Sequence, residues 1–184
     1  KYTEAIHEVF DPSLKTIIHI PSVNSGESTK DKHEEVGHIL DLIGTFEGKE
    51  DSGIMRIRAK DGTIVRVADL VDDTDQAARS RLLAYLGKHA AHDPNAVDVI
   101  IALGMAKEGF DWPYAEHALT VGHRSSLTEI IQIIGRVTRD AKGKPHAQFT
   151  NLIVEPAAEA DEVKTAVNTM LKAITASLLM EQVL

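Results

Sequence analysis

Two stretches of the sequence combine residue types that bind charged ligands. The first stretch, residues 104–113, reads Gly-Met-Ala-Lys-Glu-Gly-Phe-Asp-Trp-Pro and follows an almost continuously apolar run, residues 97–103. Such a run is typical of a parallel strand that is covered on both faces. Ligands of open α/β sheets bind beyond the carboxyl ends of the strands, so a turn there that contains Glu108, Gly109 and Asp111 is a candidate site.

The second stretch, residues 132–139, reads Gln-Ile-Ile-Gly-Arg-Val-Thr-Arg, and we predict a helix from residue 127 to about residue 139. On such a helix Gln132, Arg136 and Arg139 stand at positions i, i+4 and i+7 and share one face. Two guanidinium groups and one amide on a single face form a surface that binds anions. Phosphate is the anion that we expect, because the planar fork of an arginine matches its oxygens.

The elements that must position these residues predict a parallel α/β sheet with helices on both sides. Short β-branched or apolar runs at residues 16–20, 97–103, 117–121 and 149–154 alternate with helical patterns. Residues 48–68 contain two alternating runs on either side of Asp61-Gly62, which predicts a hairpin that departs from the main fold. The helical pattern of residues 159–184 either docks on this domain or links to a next one, and its apolar spacing favours docking.

Length and composition predict one globular domain. The chain has 184 residues, of which 43% are hydrophobic and 26% are charged, and it contains no cysteine. The absence of cysteine excludes a disulfide scaffold, a thiolate zinc site and a cysteine nucleophile, and it suits a cytoplasmic protein. No apolar run approaches the roughly 20 residues that span a bilayer, so we expect no membrane partner. The first residue is Lys1 rather than methionine, from which we expect a fragment of a longer protein.

The net charge of −8 argues at first against a nucleic-acid partner, because such proteins neutralise phosphates with lysine and arginine. Residues 104–145, however, contain six Lys and Arg against five Asp and Glu, so this segment is slightly positive. A binding site is local, and the total charge therefore does not decide the partner.

The turn and the arginine helix together resemble motifs V and VI of superfamily 2 helicases and translocases, in the same order and at a plausible separation. Residues 16–22 resemble motif IV, and the resemblance covers residues 14 to 155. It implies a C-terminal RecA-like domain over residues 1–157, with residues 48–68 as an insertion and residues 158–184 as a C-terminal helix. The pattern is nearer to DNA-acting DEAD/DEAH branches, such as restriction-enzyme motors and repair helicases, than to RNA-acting DEAD-box proteins, whose motif VI usually starts with His where this chain has Gln132.

The resemblance implies a catalytic unit that is shared between two RecA-like domains. ATP and Mg²⁺ would be bound mainly by the N-terminal domain of the same protein, which is absent from this chain. Arg139 would be the arginine finger, Arg136 would also reach the γ-phosphate, and Gln132 would sense the nucleotide state. Gly109 and Asp111 would couple the nucleotide to the cleft, and Glu108 would belong with them to the nucleotide-binding residues.

The same resemblance implies contacts with the backbone of a nucleic-acid strand, DNA rather than RNA, from Ser22, Asn24, Met105 and Lys107. Such contacts position the strand without reading its sequence. The chain contains no G-x-x-x-x-G-K-[S/T] loop. We therefore expect an ATP-dependent helicase as the full-length protein, but no ATP hydrolysis by this fragment alone.

Other interpretations remain open for the whole chain and for single residues. The chain could be an α/β interaction or nucleotide-binding module without motor activity, or part of an RNA-acting helicase. The arginine helix could present a solvated basic face, and Asp111 could cap a turn. Trp112 could stack on a base, although packing is favoured, and Lys107 could simply be exposed.

The histidines offer two close pairs. His89 and His92 are three residues apart, and His33 and His38 are five residues apart. Neither pair is accompanied by a carboxylate set at obvious ligand spacing, so we expect no metal site.

Overall fold

Helices and strands alternate along most of the chain. The computed structural model describes residues 2–21, 31–103, 111–122, 127–152 and 160–181. The helices in these residues are α1 (Tyr2–Val9), α2 (Lys32–Ile43), α3 (Gln76–His89), α4 (Leu127–Val137) and α5 (Ala160–Glu181). The strands are β1 (Thr16–Ile20), β2 (Thr45–Lys49), β3 (Met55–Arg58), β4 (Ile64–Asp69), β5 (Val99–Leu103), β6 (His117–Val121) and β7 (Gln148–Leu152).

The strands form one 7-stranded sheet in the order β2-β3-β4-β5-β1-β6-β7. From β4 to β7 all neighbouring strands are parallel, whereas β2 with β3 and β3 with β4 are antiparallel. Ile18 of β1 lies in register with Ile101 of β5 on one side and with Leu119 of β6 on the other. The central strand β1 thus has a buried parallel neighbour on each side, as its apolar sequence predicts.

Helices cover both faces of the sheet. On one face, Ile18 and its neighbours pack with Ile6 of α1 and Ile39 of α2. On the other face, Ile17 belongs to a cluster that includes Leu86 of α3 and Ile133 of α4. Successive residues of a strand point to opposite faces, so β1 contributes to both layers. The predicted three-layer RecA-like α/β fold, with a mostly parallel sheet, is confirmed.

The hairpin predicted around Asp61-Gly62 is present and joins β3 to β4. The Asp61 carboxylate accepts the backbone N–H of Thr63 at 2.9 Å, and this bond fixes the turn. The hairpin does not depart from the main fold, however, because β4 also pairs with β5 in the central sheet. The antiparallel extension consists of β2 and β3. That these residues are an insertion relative to the family stays a prediction.

Helix α5 packs on α4. Ala173 of α5 is fully buried and contacts a small apolar cluster with Ile130 and Ile134. Helix α5 thus contacts α4 within the described residues, and the assignment of residues 158–184 as a C-terminal helix that docks on the domain or links to a further one stays a prediction. Among the described helices none is both long and apolar enough to cross a bilayer.

A buried histidine, His117, belongs to the sheet. His117, the first residue of β6, is fully buried and its Nε2 lies 3.0 Å from Oγ1 of Thr150 on β7. Burial lowers the pKa of His117, and the nearby carboxylate of Asp11 opposes this effect. The imidazole is therefore held in its neutral form more strongly than in an unfolded chain.

Candidate functional site

The segment that precedes β6 carries one of the predicted site residues, Asp111. The next residue, Trp112, is only 4% exposed and belongs to the same cluster as Ile133 and Val137 of α4. The indole thus anchors this segment on the apolar side of the arginine helix. The interpretation of Trp112 as a packing residue is confirmed.

An ion pair joins the two stretches that the sequence singles out. Nη1 of Arg139 donates a hydrogen bond to Oδ1 of Asp111. The two side chains are 50% and 52% exposed, so the pair lies at the surface and is accessible to ligands. The structure therefore brings together two of the predicted site residues, from positions that are 28 residues apart.

Arg139 does not belong to the regular part of the helix, contrary to the prediction. Helix α4 ends at Val137, and the backbone N–H of Thr138 still donates to the carbonyl of Ile134 at 3.0 Å. Arg139 then lies in a bend beyond the helix. The shared helical face therefore holds only for Gln132 and Arg136, and the bend directs Arg139 toward Asp111.

The remaining polar residues of α4 lie at or near the surface. Gln132 is exposed and Arg136 is partly buried. A Cβ added at Gly135 would meet no atom within 4 Å, so the glycine leaves open space beside the two polar side chains. The helix surface around Gln132 and Arg136 is thus accessible, as an anion-binding role requires.

Lys144 is a further residue of this site, and no sequence motif singles it out. Its Nζ donates to the carbonyl oxygen of Pro113 at 3.1 Å and to the carbonyl oxygen of Arg139 at 2.5 Å. The ammonium group thereby bridges the two segments that carry Asp111 and Arg139. No spacing rule predicts this contact, because it depends on how the loop after α4 folds back.

Six predicted site residues lie outside the described residues, and the structure does not place them. They are Ser22, Asn24, Met105, Lys107, Glu108 and Gly109. Their roles stay predictions.

A possible group of metal ligands occurs elsewhere, at the start of α2 and before α3. Potential ligand atoms of His33, Asp72 and Asp73 lie within 4.8 Å of one another. Asp73 already accepts a hydrogen bond from Nζ of Lys32 at 2.7 Å, which lowers its pKa, and Asp72 accepts the N–H of Thr74 at 2.9 Å. Because both carboxylates have partners within the protein, we assign no metal to this group, and the expectation that the chain binds none stays a prediction.

Comparison with known proteins identifies a relative whose sequence aligns with the whole of this chain. No family model matches the sequence. The Bacillus subtilis (strain 168) protein named "Putative ATP-dependent helicase YeeB" is 61% identical over 186 residues, which cover 100% of this chain. The chain spans 30% of the length of that curated relative. The resemblance to helicases predicted from the motifs is confirmed by this homology.

Two solved structures are similar in backbone. One is "ATP-dependent Type ISP restriction-modification enzyme LlaBIII bound to DNA", with a TM-score of 0.48 and 16% identity, covering 87% of this chain and 10% of that chain. The other is "Mss116p DEAD-box helicase domain 2 bound to an RNA duplex", with a TM-score of 0.45 and 15% identity, covering 98% of this chain and 71% of that chain.

Proposed function

We propose that this chain is the second motor domain of an ATP-dependent superfamily 2 DNA helicase or translocase. In this role it supplies the arginine finger and part of the nucleic-acid groove. All residues of the chain align with the Bacillus subtilis protein named above as an ATP-dependent helicase. The observation that carries the proposal is the ion pair between Asp111 and Arg139, which joins the end of the motif V-like stretch to the end of the motif VI-like stretch.

The exposure of the pair supports Arg139 as the arginine finger. An exposed ion pair stabilises a protein by about 0–1 kcal/mol, so the guanidinium can leave Asp111 at little cost. A guanidinium donates two parallel hydrogen bonds to phosphate oxygens as readily as to a carboxylate. Arg139 can therefore exchange Asp111 for the γ-phosphate of ATP that is bound by a neighbouring domain, and there it would stabilise the charge that develops during phosphoryl transfer.

The accessible face of α4 favours supporting roles for Gln132 and Arg136. These two residues are separated by four positions, so they lie one above the other on the helix that leads to Arg139. Arg136 adds a second fixed positive charge for the phosphates, and Gln132 adds an amide that can both donate and accept a hydrogen bond. Gln132 would thus distinguish nucleotide states.

ATP and Mg²⁺ would be held mainly by the N-terminal RecA-like domain of the same protein. The sequence contains no Walker A loop, and Asp111, the carboxylate placed beside the finger, is already engaged with Arg139. From this chain we therefore assign phosphate contacts only, and we assign no ligand to the metal. The chain by itself should not hydrolyse ATP.

The sheet register supports a shared position for the proposed nucleic-acid contacts. Ile20 at the end of β1 pairs with Leu103 at the end of β5. Strands β1 and β5 therefore end side by side at the carboxyl edge of the sheet, and the residues proposed for these contacts, Ser22, Asn24, Met105 and Lys107, follow the two strands in sequence. This is the edge where open α/β sheets bind their ligands.

ATP hydrolysis by the intact protein that contains this chain tests the proposal. We would measure its rate without nucleic acid and with single-stranded DNA, duplex DNA or RNA of equal length. Stronger stimulation by DNA is expected. Stronger stimulation by RNA would identify an RNA-acting helicase, and no ATP turnover under any condition would instead favour a module without motor activity.

A further inference from the structure

Lys144 lies in the loop between α4 and β7, and its ammonium group makes two backbone contacts. Nζ donates to the carbonyl of Pro113 and to the carbonyl of Arg139, at 3.1 Å and 2.5 Å. Pro113 lies two residues after Asp111. Lys144 therefore contacts the backbone of Arg139 directly, and it contacts the segment that carries Asp111, the partner of Arg139.

A tight turn brings Lys144 back to this position. The backbone N–H of Lys144 donates to the carbonyl of Ala141 at 3.1 Å, and Gly143 within the turn has a φ of 86°. Glycine adopts this left-handed conformation without the steric cost that a side chain would bring. The turn therefore brings the side chain of Lys144 back to the C-terminal end of α4.

We propose that Lys144 is a positioning residue for the arginine finger, an inference that rests on the proposed motor function. The lysine fixes the backbone of Arg139 relative to the Asp111–Pro113 segment, while the guanidinium can still exchange its carboxylate partner for phosphate. Lys144 acts through Arg139 and does not itself touch the nucleotide.

The physical basis is that a finger helps only when its guanidinium reaches the transferred phosphoryl group accurately. Arg139 lies beyond the last residue of α4, so the hydrogen bonds of the helix do not fix its backbone. Lysine has three N–H donors and no acceptor, which suits a bridge between carbonyl oxygens. A displacement of about 1 Å can reduce a rate by about 10²-fold even when all reacting groups are present.

The test uses the intact protein and the variants Lys144→Met and Lys144→Arg. Methionine keeps an unbranched stem but removes the donors. Because the finger would then be misplaced rather than lost, we expect kcat for nucleic-acid-stimulated ATP hydrolysis to fall by about ten- to a hundredfold. The KM for ATP and the melting temperature should stay nearly unchanged. Arginine keeps N–H donors and should recover part of kcat.

Lys142→Met is the matched control, since Lys142 is an exposed lysine of the same loop. It removes one positive charge and the same donors from a position two residues away. This variant should leave kcat unchanged, so a loss that is specific to Lys144 reflects its contacts rather than the charge of the loop.

A double-mutant cycle of Lys144→Met with Arg139→Ala distinguishes a positioning role of Lys144 from a structural or direct catalytic role. If Lys144 acts through the finger, Lys144→Met should cause no further loss of single-turnover hydrolysis in the Arg139→Ala background. An unchanged kcat for Lys144→Met, or an equal loss in both backgrounds, would overturn this inference while leaving the motor function intact. An unchanged kcat for Arg139→Ala would instead overturn the assignment of Arg139 as the arginine finger, and the absence of any ATP turnover by the parent would overturn the proposed motor function.

Discussion

The guanidinium of Arg139 donates a hydrogen bond to the carboxylate of Asp111, and both side chains are about half exposed. The contact joins the segment before β6 to the bend after α4. Two charged groups that are exposed in this way remain available to other partners. Both groups stay largely hydrated in the pair, so their separation costs little free energy. The pair therefore marks a surface where an incoming anion can compete with a carboxylate.

The first prediction concerns the strength of this pair. In a double-mutant cycle with Asp111→Ala and Arg139→Ala, we expect the coupling free energy to be at most about 1 kcal/mol and to decrease as salt is added. Urea unfolding of the parent, the two single variants and the double variant measures this coupling free energy. A coupling that is several-fold larger and insensitive to salt would contradict the account, because the finger would then be too strongly held to exchange partners.

The second prediction compares two glycines in and after α2. A Cβ at Gly44, just after the helix, would overlap the backbone carbonyl oxygen of Arg58, whereas a Cβ at Gly37 would meet nothing within 4 Å. Gly44→Ala should therefore lower the free energy of unfolding by about 1–3 kcal/mol, as overpacking does. Gly37→Ala, the control within the helix, should raise it by about 0.5–1 kcal/mol.

Chemical denaturation of the two glycine variants at neutral pH checks this pair of expectations. A Gly44→Ala protein as stable as the parent would mean that the end of α2 and β3 do not approach as closely as the structure shows. A destabilised Gly37→Ala protein would mean that the middle of α2 is more crowded than described.

The third prediction is a pH dependence from His117. Burial holds the pKa of His117 in the folded protein below the ordinary value of 6.5. As the pH falls below 6.5, the unfolded chain takes up a proton at this residue and the folded protein does not, so the free energy of unfolding falls. The loss is complete once the pH lies below the lowered pKa of the folded state.

Replacement of the histidine isolates this contribution. His117→Gln should show a weaker fall of stability between neutral and mildly acidic pH, measured by urea unfolding at a series of pH values. His92→Gln, at an exposed position, is the control and should retain the parent profile. Identical profiles for the parent and His117→Gln would show that another group causes the pH dependence.

The central sheet could be predicted from sequence because its strands are apolar on both faces. The runs at β1 and β5 leave few alternatives to buried parallel strands. Helix α1 and strand β2 could not be predicted in this way. Helix α1 has only eight residues, too few for a stable helix without tertiary packing, and β2 contains Gly48 and is mostly exposed.

The site could be predicted in part for similar reasons. Asp111 and Arg139 belong to recognisable motifs, and their types indicate an anion-binding role before any contact is known. The end of α4 at Val137 could not be predicted, because the motif continues into the following residues and helix ends depend on tertiary contacts. Lys144 gave no signal, since the two contacts described for its ammonium group are with backbone carbonyls, which any sequence would provide.

The measurement that tests the central claim most directly is ATP turnover by an Arg139→Ala variant of the intact protein, with nucleic acid present. We expect kcat to fall by about 10³- to 10⁵-fold, the effect of an arginine finger in phosphoryl-transfer enzymes, while equilibrium binding of ATP is largely retained. Lys142→Met serves as the control and should turn over like the parent. A kcat for Arg139→Ala within a few-fold of the parent value would contradict the account.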